Sequence, residues 1–104
     1  TLVRCGGHFP GSDVLHWEQG ADGRGALLTG DTMQVAQDRR YVSFMYSYPN
    51  MIPLNARAVQ HIVDMVEPFA YDRIYGGWWD LIVQNDAKST VKCSAERYIK
   101  AISA

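Results

Sequence analysis

The sequence predicts a layered α/β or α+β domain in which a mostly antiparallel sheet carries two helices on one face. Three observations support this fold class. Short segments with the pattern of half-buried strands dominate the first half of the chain, two segments with apolar residues at helical spacing lie in the second half, and turn-forming residues separate them. With 104 residues, the chain is expected to form a single domain spanning residues 1–104.

The first half is predicted to contain three short strands. They are Thr1–Cys5, Asp13–Trp17 and Ala26–Thr29, and a pair of glycines ends the first of them. The connection between the second and third strands, residues 18–25, is rich in glycine and other turn formers. We therefore expect these two strands to fold back on each other as a β-hairpin.

The second half is predicted to alternate strands with helices. Residues Tyr41–Tyr48 are β-branched and aromatic, which favours a strand, and Leu54–Val66 has apolar residues at helical spacing. A further strand is predicted at Tyr71–Tyr75, and Asn85 or Asp86 is expected to cap a last helix. The apolar stripe of that last helix is Val91, Ala95, Tyr98, Ile99 and Ile102.

Charge and hydropathy argue against two classes of partner. The net charge is −1 and the basic residues are scattered, so the chain lacks the positive field that nucleic-acid binding needs. No apolar run approaches the roughly 20 residues of a membrane helix. We therefore expect neither nucleic acid nor a membrane as partner.

The two cysteines, Cys5 and Cys93, lie almost at opposite ends of the chain. We expect both to be thiols, which favours a reducing, cytoplasmic setting. The sequence begins at Thr1, without Met and already inside an apolar stretch, and this indicates a cut through a larger protein. A processed chain and an incompletely traced one are the alternatives.

A histidine and an aspartate are expected to meet at one end of the predicted hairpin. His8 lies in a Gly-Pro loop just before the strand Asp13–Trp17, and Asp31 directly follows the strand Ala26–Thr29. In an antiparallel pair, the start of one strand lies beside the end of the other. An imidazole and a carboxylate that meet on glycine-bracketed loops are suitable ligands for zinc, iron or manganese.

Two motifs around these residues resemble those of a known superfamily. Gly-His-Phe-Pro-Gly-Ser at residues 7–12, followed after a strand and a turn by Leu-Leu-Thr-Gly-Asp at residues 27–31, resembles the middle motifs of the metallo-β-lactamase superfamily. The segments Val42–Asn50 and Ser94–Tyr98 resemble an uncharacterised bacterial branch of that superfamily, of unassigned substrate.

The resemblance implies that the chain is the C-terminal half of an αββα sandwich and takes part in a metal-dependent hydrolase acting on a small molecule. It also implies two metal ligands, His8 for the first metal and Asp31 as a bridge between two metals. The resemblance also implies that Asp31 is the catalytic residue. As an alternative to bridging two metals, Asp31 could orient a metal-bound water molecule.

The sequence departs from the superfamily pattern at two places. The His-x-His-x-Asp-His motif, which supplies most of the metal ligands and precedes the His8 motif, has no counterpart in this chain. The late Gly-His motif is replaced by Gly-Gly-Trp-Trp at residues 76–79. Since catalytic zinc sites usually hold three protein ligands, we expect the chain by itself to be inactive.

Other candidate ligands have simpler explanations. His16 is expected to be a structural histidine on a strand, on the same side as Val14, and His61 to lie on the solvated face of a helix. Cys5 is three residues before His8 and could supply a thiolate, but a small buried residue at the end of a strand is the favoured reading.

The aromatic residues Phe44, Tyr46 and Tyr48 alternate and are expected to form one face of a strand, as core or sheet cover. A less favoured alternative places them as an apolar substrate wall at the end that carries His8 and Asp31. No serine has an assignable histidine base, and no phosphate-binding glycine loop is present.

Two functions remain open at this point. The first is a partial metallo-β-lactamase-like domain of a metal-dependent hydrolase. The alternative is a non-catalytic ligand- or partner-binding module that kept the fold and lost part of the metal site. A folded half would also expose an apolar face, which predicts a homo-oligomer formed through that face.

Overall fold

The computed structural model describes residues 1–46, 53–77 and 80–103. Its main element is a five-stranded sheet with the strand order β1-β2-β3-β6-β7. Only β3 and β6 are parallel, and the other neighbouring strands are antiparallel. The mostly antiparallel sheet that the sequence predicts is confirmed. Its strands are β1 (Leu2–Arg4), β2 (Asp13–Trp17), β3 (Ala26–Gly30), β6 (Arg73–Gly76) and β7 (Ile82–Val83).

The crossover from β3 to β6 contains the rest of the α/β framework. It holds a two-stranded sheet of β4 (Gln34–Val35) and β5 (Val42–Ser43), followed by helix α1 (Ala56–Val66). Helix α2 (Ala87–Ile102) follows β7 and ends the described chain. A short 3₁₀ turn at Ala21–Gly23 lies in the hairpin connection between β2 and β3.

One face of the main sheet and both helices enclose the hydrophobic core. Every second residue of the strands is buried there, as strand geometry requires, and the apolar stripe of α1 packs over them. The two-helices-on-one-face arrangement is therefore confirmed. The buried residues from the sheet are Val3, Val14, Leu27, Ile74 and Val83, and those from α1 are Val59, Ile62, Val63 and Val66.

The opposite face of the sheet carries a continuous apolar row that crosses all five strands. Neighbouring strands pair Leu2 with Leu15, Leu15 with Leu28, Leu28 with Tyr75, and Tyr75 with Ile82. Residues paired in this way point to the same side of a sheet. The three leucines are exposed and the last two residues are half-buried, so this row faces solvent.

Both helices begin slightly differently from the sequence prediction. Helix α1 starts at Ala56 and not at Leu54, because the Asn55 side chain accepts a 2.8 Å hydrogen bond from the Ala58 amide and acts as the N-cap. Asp86 occupies the cap position of α2 but makes no capping side-chain bond. Its own amide instead donates to Asp72 Oδ1 at 2.9 Å, so a residue distant in sequence holds the start of α2.

The predicted strand Tyr41–Tyr48 is wrong in length. Only Val42–Ser43 form a strand, and Phe44 and Met45, which follow it, are both buried outside any strand. The end of the predicted segment lies outside the described residues. Ile102, placed on the apolar stripe of α2, is exposed. The two-residue strands β4 and β7 were not predicted, because they are too short to show a periodicity.

Two further expectations concern cysteines and membranes. Cys5 is buried and Cys93 is exposed, and both are free thiols, as predicted. Of the helices in the described ranges, neither combines the length and the apolar character needed to cross a bilayer.

Candidate metal site

His8 and Asp31 lie next to each other at one end of the β2–β3 hairpin. The distance from His8 Nε2 to Asp31 Oδ2 is 3.8 Å. The strand register explains the approach, since Leu15 pairs with Leu28 and the start of β2 therefore lies beside the end of β3. The structure thus brings together the two residues that the sequence singled out.

The imidazole of His8 is held by a backbone carbonyl on a distant part of the chain. His8 Nδ1 lies 3.2 Å from the carbonyl oxygen of Met45, and only 12% of the His8 side chain is exposed. A carbonyl can only accept, so Nδ1 donates in this hydrogen bond, and Nε2 is the ring nitrogen that lies near Asp31. Metal-binding histidines are typically oriented in this way through the second ring nitrogen.

Asp31 lies in a tight turn that begins where β3 ends. The amide of Thr32 donates to the carbonyl of Thr29 at 3.0 Å, and Gly30 has φ +51°. A positive φ costs little at glycine, so the chain can turn sharply directly after the strand. The Asp31 side chain is 54% exposed, which leaves its carboxylate accessible from solvent.

A pair of buried hydroxyls joins the loop of His8 to the loop of Asp31. Ser12 Oγ and Thr32 Oγ1 are 2.5 Å apart, and both residues are buried. Thr32 Oγ1 also lies 3.3 Å from the carbonyl of Asp13. Sequence reasoning missed this link. The only sequence signal for this link is a serine or threonine close to each candidate ligand, and such residues are too common to indicate a specific contact.

The pair fits a metal ion in donor chemistry and in separation. Two ligand atoms that bind one tetrahedral ion at about 2.0–2.2 Å are roughly 3.3–3.6 Å apart. The observed 3.8 Å is therefore within a small side-chain adjustment of a shared ion. An imidazole nitrogen with a carboxylate oxygen suits zinc, iron or manganese. Within residues 1–46, 53–77 and 80–103, no three His, Cys, Asp or Glu residues converge, so no third candidate ligand lies beside the pair there.

Cys5 belongs to the core and not to this pair. Its side chain is 1% exposed, and Sγ lies 3.7 Å from the carbonyl of Val3. Burial raises the pKa of the Cys5 thiol to about 11, and the nearby carboxylate of Asp13 adds to the rise. The thiol therefore stays protonated at neutral pH, in agreement with its expected role as a small core residue.

The other two histidines have the structural and surface roles expected of them. His16 is half-buried, with Nε2 2.7 Å from the carbonyl of Ala70 and its ring packed on Phe69 at a centroid distance of 4.9 Å. His61 is exposed on α1. Neither lies with His8 and Asp31.

The loop after β6 begins beside the Asp31 turn. Gly30 pairs with Gly76, and a Cβ atom on Gly77 would lie 3.7 Å from the backbone of Gly30. This is where the resemblance places the late Gly-His motif. The two tryptophans that follow, Trp78 and Trp79, lie outside the described residues.

The aromatic residues divide between core and surface. Phe44 is buried and packs edge-on against Tyr98 at a centroid distance of 5.5 Å, so it is core and not a substrate wall. Tyr46 is exposed, as is Phe9, whose ring lies 5.8 Å from that of His8. Tyr48 is outside the described residues.

Comparison with known proteins finds a longer relative. The chain is 52% identical over 101 residues to the uncharacterized protein YmaE of Bacillus subtilis (strain 168). The match covers 97% of this chain and 36% of the relative, so the chain spans about a third of the length of that protein. No family model matches the sequence. No solved structure matches it either.

Proposed function

We propose that this chain is part of a metallo-β-lactamase-like, metal-dependent hydrolase, and that His8 and Asp31 are two of its metal ligands. The observation that carries the proposal is the 3.8 Å separation between His8 Nε2 and Asp31 Oδ2, with the opposite nitrogen of His8 bound to a backbone carbonyl. This arrangement leaves Nε2 of the imidazole and an exposed carboxylate oxygen close enough to bind one ion. Zinc is the expected metal, with iron or manganese as alternatives.

The two residues have different tasks in this proposal. His8 is half-buried and fixed by Met45, so it would hold the ion in one position. Asp31 is more exposed, so it would either bridge to a second ion or orient a water molecule for attack on a small-molecule substrate. When bound, the metal supplies Lewis-acid activation of that water. Two ligands are fewer than catalytic sites usually have, so hydrolysis would need ligands from residues outside this chain.

The apolar row on the open sheet face supports a larger assembly around the chain. Leu2, Leu15 and Leu28 are exposed there, and a relative nearly three times as long contains a match to almost the whole chain. In the longer protein a second sheet would cover this row, as in a sandwich. The isolated chain would cover it by forming a homo-oligomer. The two free thiols favour a cytoplasmic location.

Metal content distinguishes this function from its alternatives. The isolated chain and a version extended to the length of the relative would be dialysed against zinc and analysed by mass spectrometry, each also as His8→Ala and Asp31→Asn. We expect about one zinc per extended chain and a loss of it in both variants. Cys93→Ala is the matched control, because this exposed thiol lies on α2 and does not converge with His8 and Asp31. An extended protein with intact His8 that holds no stoichiometric zinc, iron or manganese would contradict the proposal.

A non-catalytic binding module is the second candidate. It is favoured by the glycine and tryptophan that stand in the sequence where the superfamily has its late histidine. Gly77, at the start of this segment, lies beside Gly30, which directly precedes Asp31. This candidate predicts that the extended protein folds, binds no metal and hydrolyses nothing. The same metal analysis therefore decides between the two.

A further inference from the structure

A second concave site lies beside the residues that flank His8 in its loop. It is a cavity of about 480 Å³ between the end of β1, the glycines after it and the N-terminal half of α1. The volume is within the range of small-molecule sites, about 300–1,000 Å³. Its polar side chains come from Arg4, Asn55, Arg57 and His61, and His8 does not line it.

The charges around this cavity are of one sign. Two guanidinium groups and an imidazole line it, and no carboxylate does. A carboxylate approaches from outside at Arg4, whose Nε is 3.5 Å from Asp13 Oδ1. Arg57 is thus the main positive group in the wall, with the His61 imidazole beside it, in a chain whose net charge is −1.

Helix α1 places Arg57 against its own electrostatic preference. The N-terminal end of a helix carries a partial positive charge and favours acidic residues, yet the first turn of α1 has none and carries Arg57 at its second position. His61 follows four residues later, on the same face as Arg57, and its imidazole lines the same cavity. An unfavourably placed cation that faces a cavity is expected at a binding site.

The backbone at the start of α1 adds hydrogen-bond donors to this surface. The amides of Ala58 and Val59 bind the side chain and the carbonyl of Asn55. The amide of Arg57, a residue that lines the cavity, donates to no acceptor within the described part of the chain. Amides at a helix N-terminus commonly bind anions.

We propose that this cavity binds the oxyanion group, phosphate or carboxylate, of a small molecule, with Arg57 and His61 as its principal contacts. A bound oxyanion would pair with the Arg57 guanidinium and accept hydrogen bonds from the His61 ring and from the Arg57 amide. The proposal does not depend on metal binding by His8 and Asp31, because the cavity is formed by other residues. It can therefore be tested on the metal-free chain.

The test is an NMR titration of the ¹⁵N-labelled chain with inorganic phosphate and, separately, with succinate, at matched ionic strength in sodium chloride. We expect saturable shifts of the Arg57 and Ala58 amides and of the His61 ring, and the tighter ligand identifies the oxyanion. Arg57→Gln and His61→Gln should each weaken binding by about tenfold, the loss expected for one charge-assisted hydrogen bond. These residues are exposed, so the fold should be kept.

Lys92→Gln is the matched control, because Lys92 is an exposed cation on α2 and does not line the cavity. The Lys92→Gln variant should bind phosphate and succinate with the same affinity as the unaltered chain. Shifts that do not saturate, or an affinity that Arg57→Gln and His61→Gln leave unchanged, would show an adventitious ion only and overturn the proposal. The dispersion of the amide spectrum reports whether each variant is folded.

Discussion

Ser12 and Thr32 bring their hydroxyl oxygens to within 2.5 Å of each other beneath the two loops that carry His8 and Asp31. Both residues are buried, so this hydrogen bond is shielded from water. It connects the loop that carries His8 to the turn that carries Asp31. The two loops that carry the candidate ligands are therefore joined within the core.

Replacing Ser12 should loosen this connection. Ser12→Ala removes one partner of a buried hydrogen bond, and we expect the free energy of unfolding to fall by about 1–2 kcal/mol. Thr32 keeps its weaker contact with the carbonyl of Asp13, which limits the loss. Urea denaturation followed by circular dichroism measures the change. Ser89→Ala is the control, because Ser89 is exposed on α2 and should alter stability by less than about 0.5 kcal/mol. Equal effects of both substitutions would contradict the structural role of Ser12.

Cys5 should make the fold sensitive to alkaline pH. Burial raises the pKa of its thiol from the ordinary value of 9.0 to about 11, so the folded state favours the protonated form. Below pH 9 the thiol is protonated in both states and the effect is absent. As pH rises from 9 to 11, the unfolded chain loses this proton first, and stability should fall by about 2–3 kcal/mol.

The cysteines provide their own control for this prediction. Cys5→Ala should flatten the decline in stability between pH 9 and 11, although it lowers stability at every pH by removing core volume. Cys93→Ala should leave the pH profile unchanged, because Cys93 is exposed. Part of the decline will remain, since burial also raises the pKa of Tyr71. A Cys5→Ala profile as steep as that of the unaltered chain would rule out the thiol as its cause.

The apolar row on the open sheet face should drive self-association of the isolated chain. Leu15→Thr combined with Leu28→Thr interrupts the row at its centre and introduces β-branched residues, which favour strands. We expect sedimentation velocity to show oligomers of the unaltered chain and a monomer for the double variant. Ile102→Thr is the control, since Ile102 and Leu15 are both 39% exposed but Ile102 lies at the end of α2. A monomeric unaltered chain at high concentration would contradict the prediction.

Two glycines in the β2–β3 connection should differ in their tolerance of alanine. Gly23 and Gly25 have φ values of +90° and +92°, so a side chain is strained at either position. A Cβ atom on Gly23 meets nothing within 4 Å, whereas one on Gly25 would overlap the carbonyl oxygen of Ala70. We expect Gly23→Ala to cost about 1–2 kcal/mol of stability and Gly25→Ala at least about 1–3 kcal/mol more. Thermal denaturation measures the stability of both variants. Similar losses would show that the carbonyl of Ala70 does not approach Gly25 this closely.

The sequence was most informative where a local pattern is long enough to be read. Strand Asp13–Trp17 has the predicted bounds, and the four apolar residues expected on the inner face of α1 are all buried there. The pairing of His8 with Asp31 was also predictable, because an antiparallel hairpin brings the start of one strand to the end of the next. Each of these inferences needs only neighbouring residues and regular geometry.

Tertiary structure decided the features that depend on residues far apart in the chain. The orientation of His8 is set by the Met45 carbonyl, 37 residues away, and the two loops are joined by hydroxyls 20 residues apart. The apolar row likewise exists only because β6 pairs with β3 in one particular register. A local pattern does not record such contacts, because their free energy comes from groups that meet only once the sheet and its helices are packed. The sequence alone determined which residues form the candidate pair, and packing determined which atoms of that pair face each other.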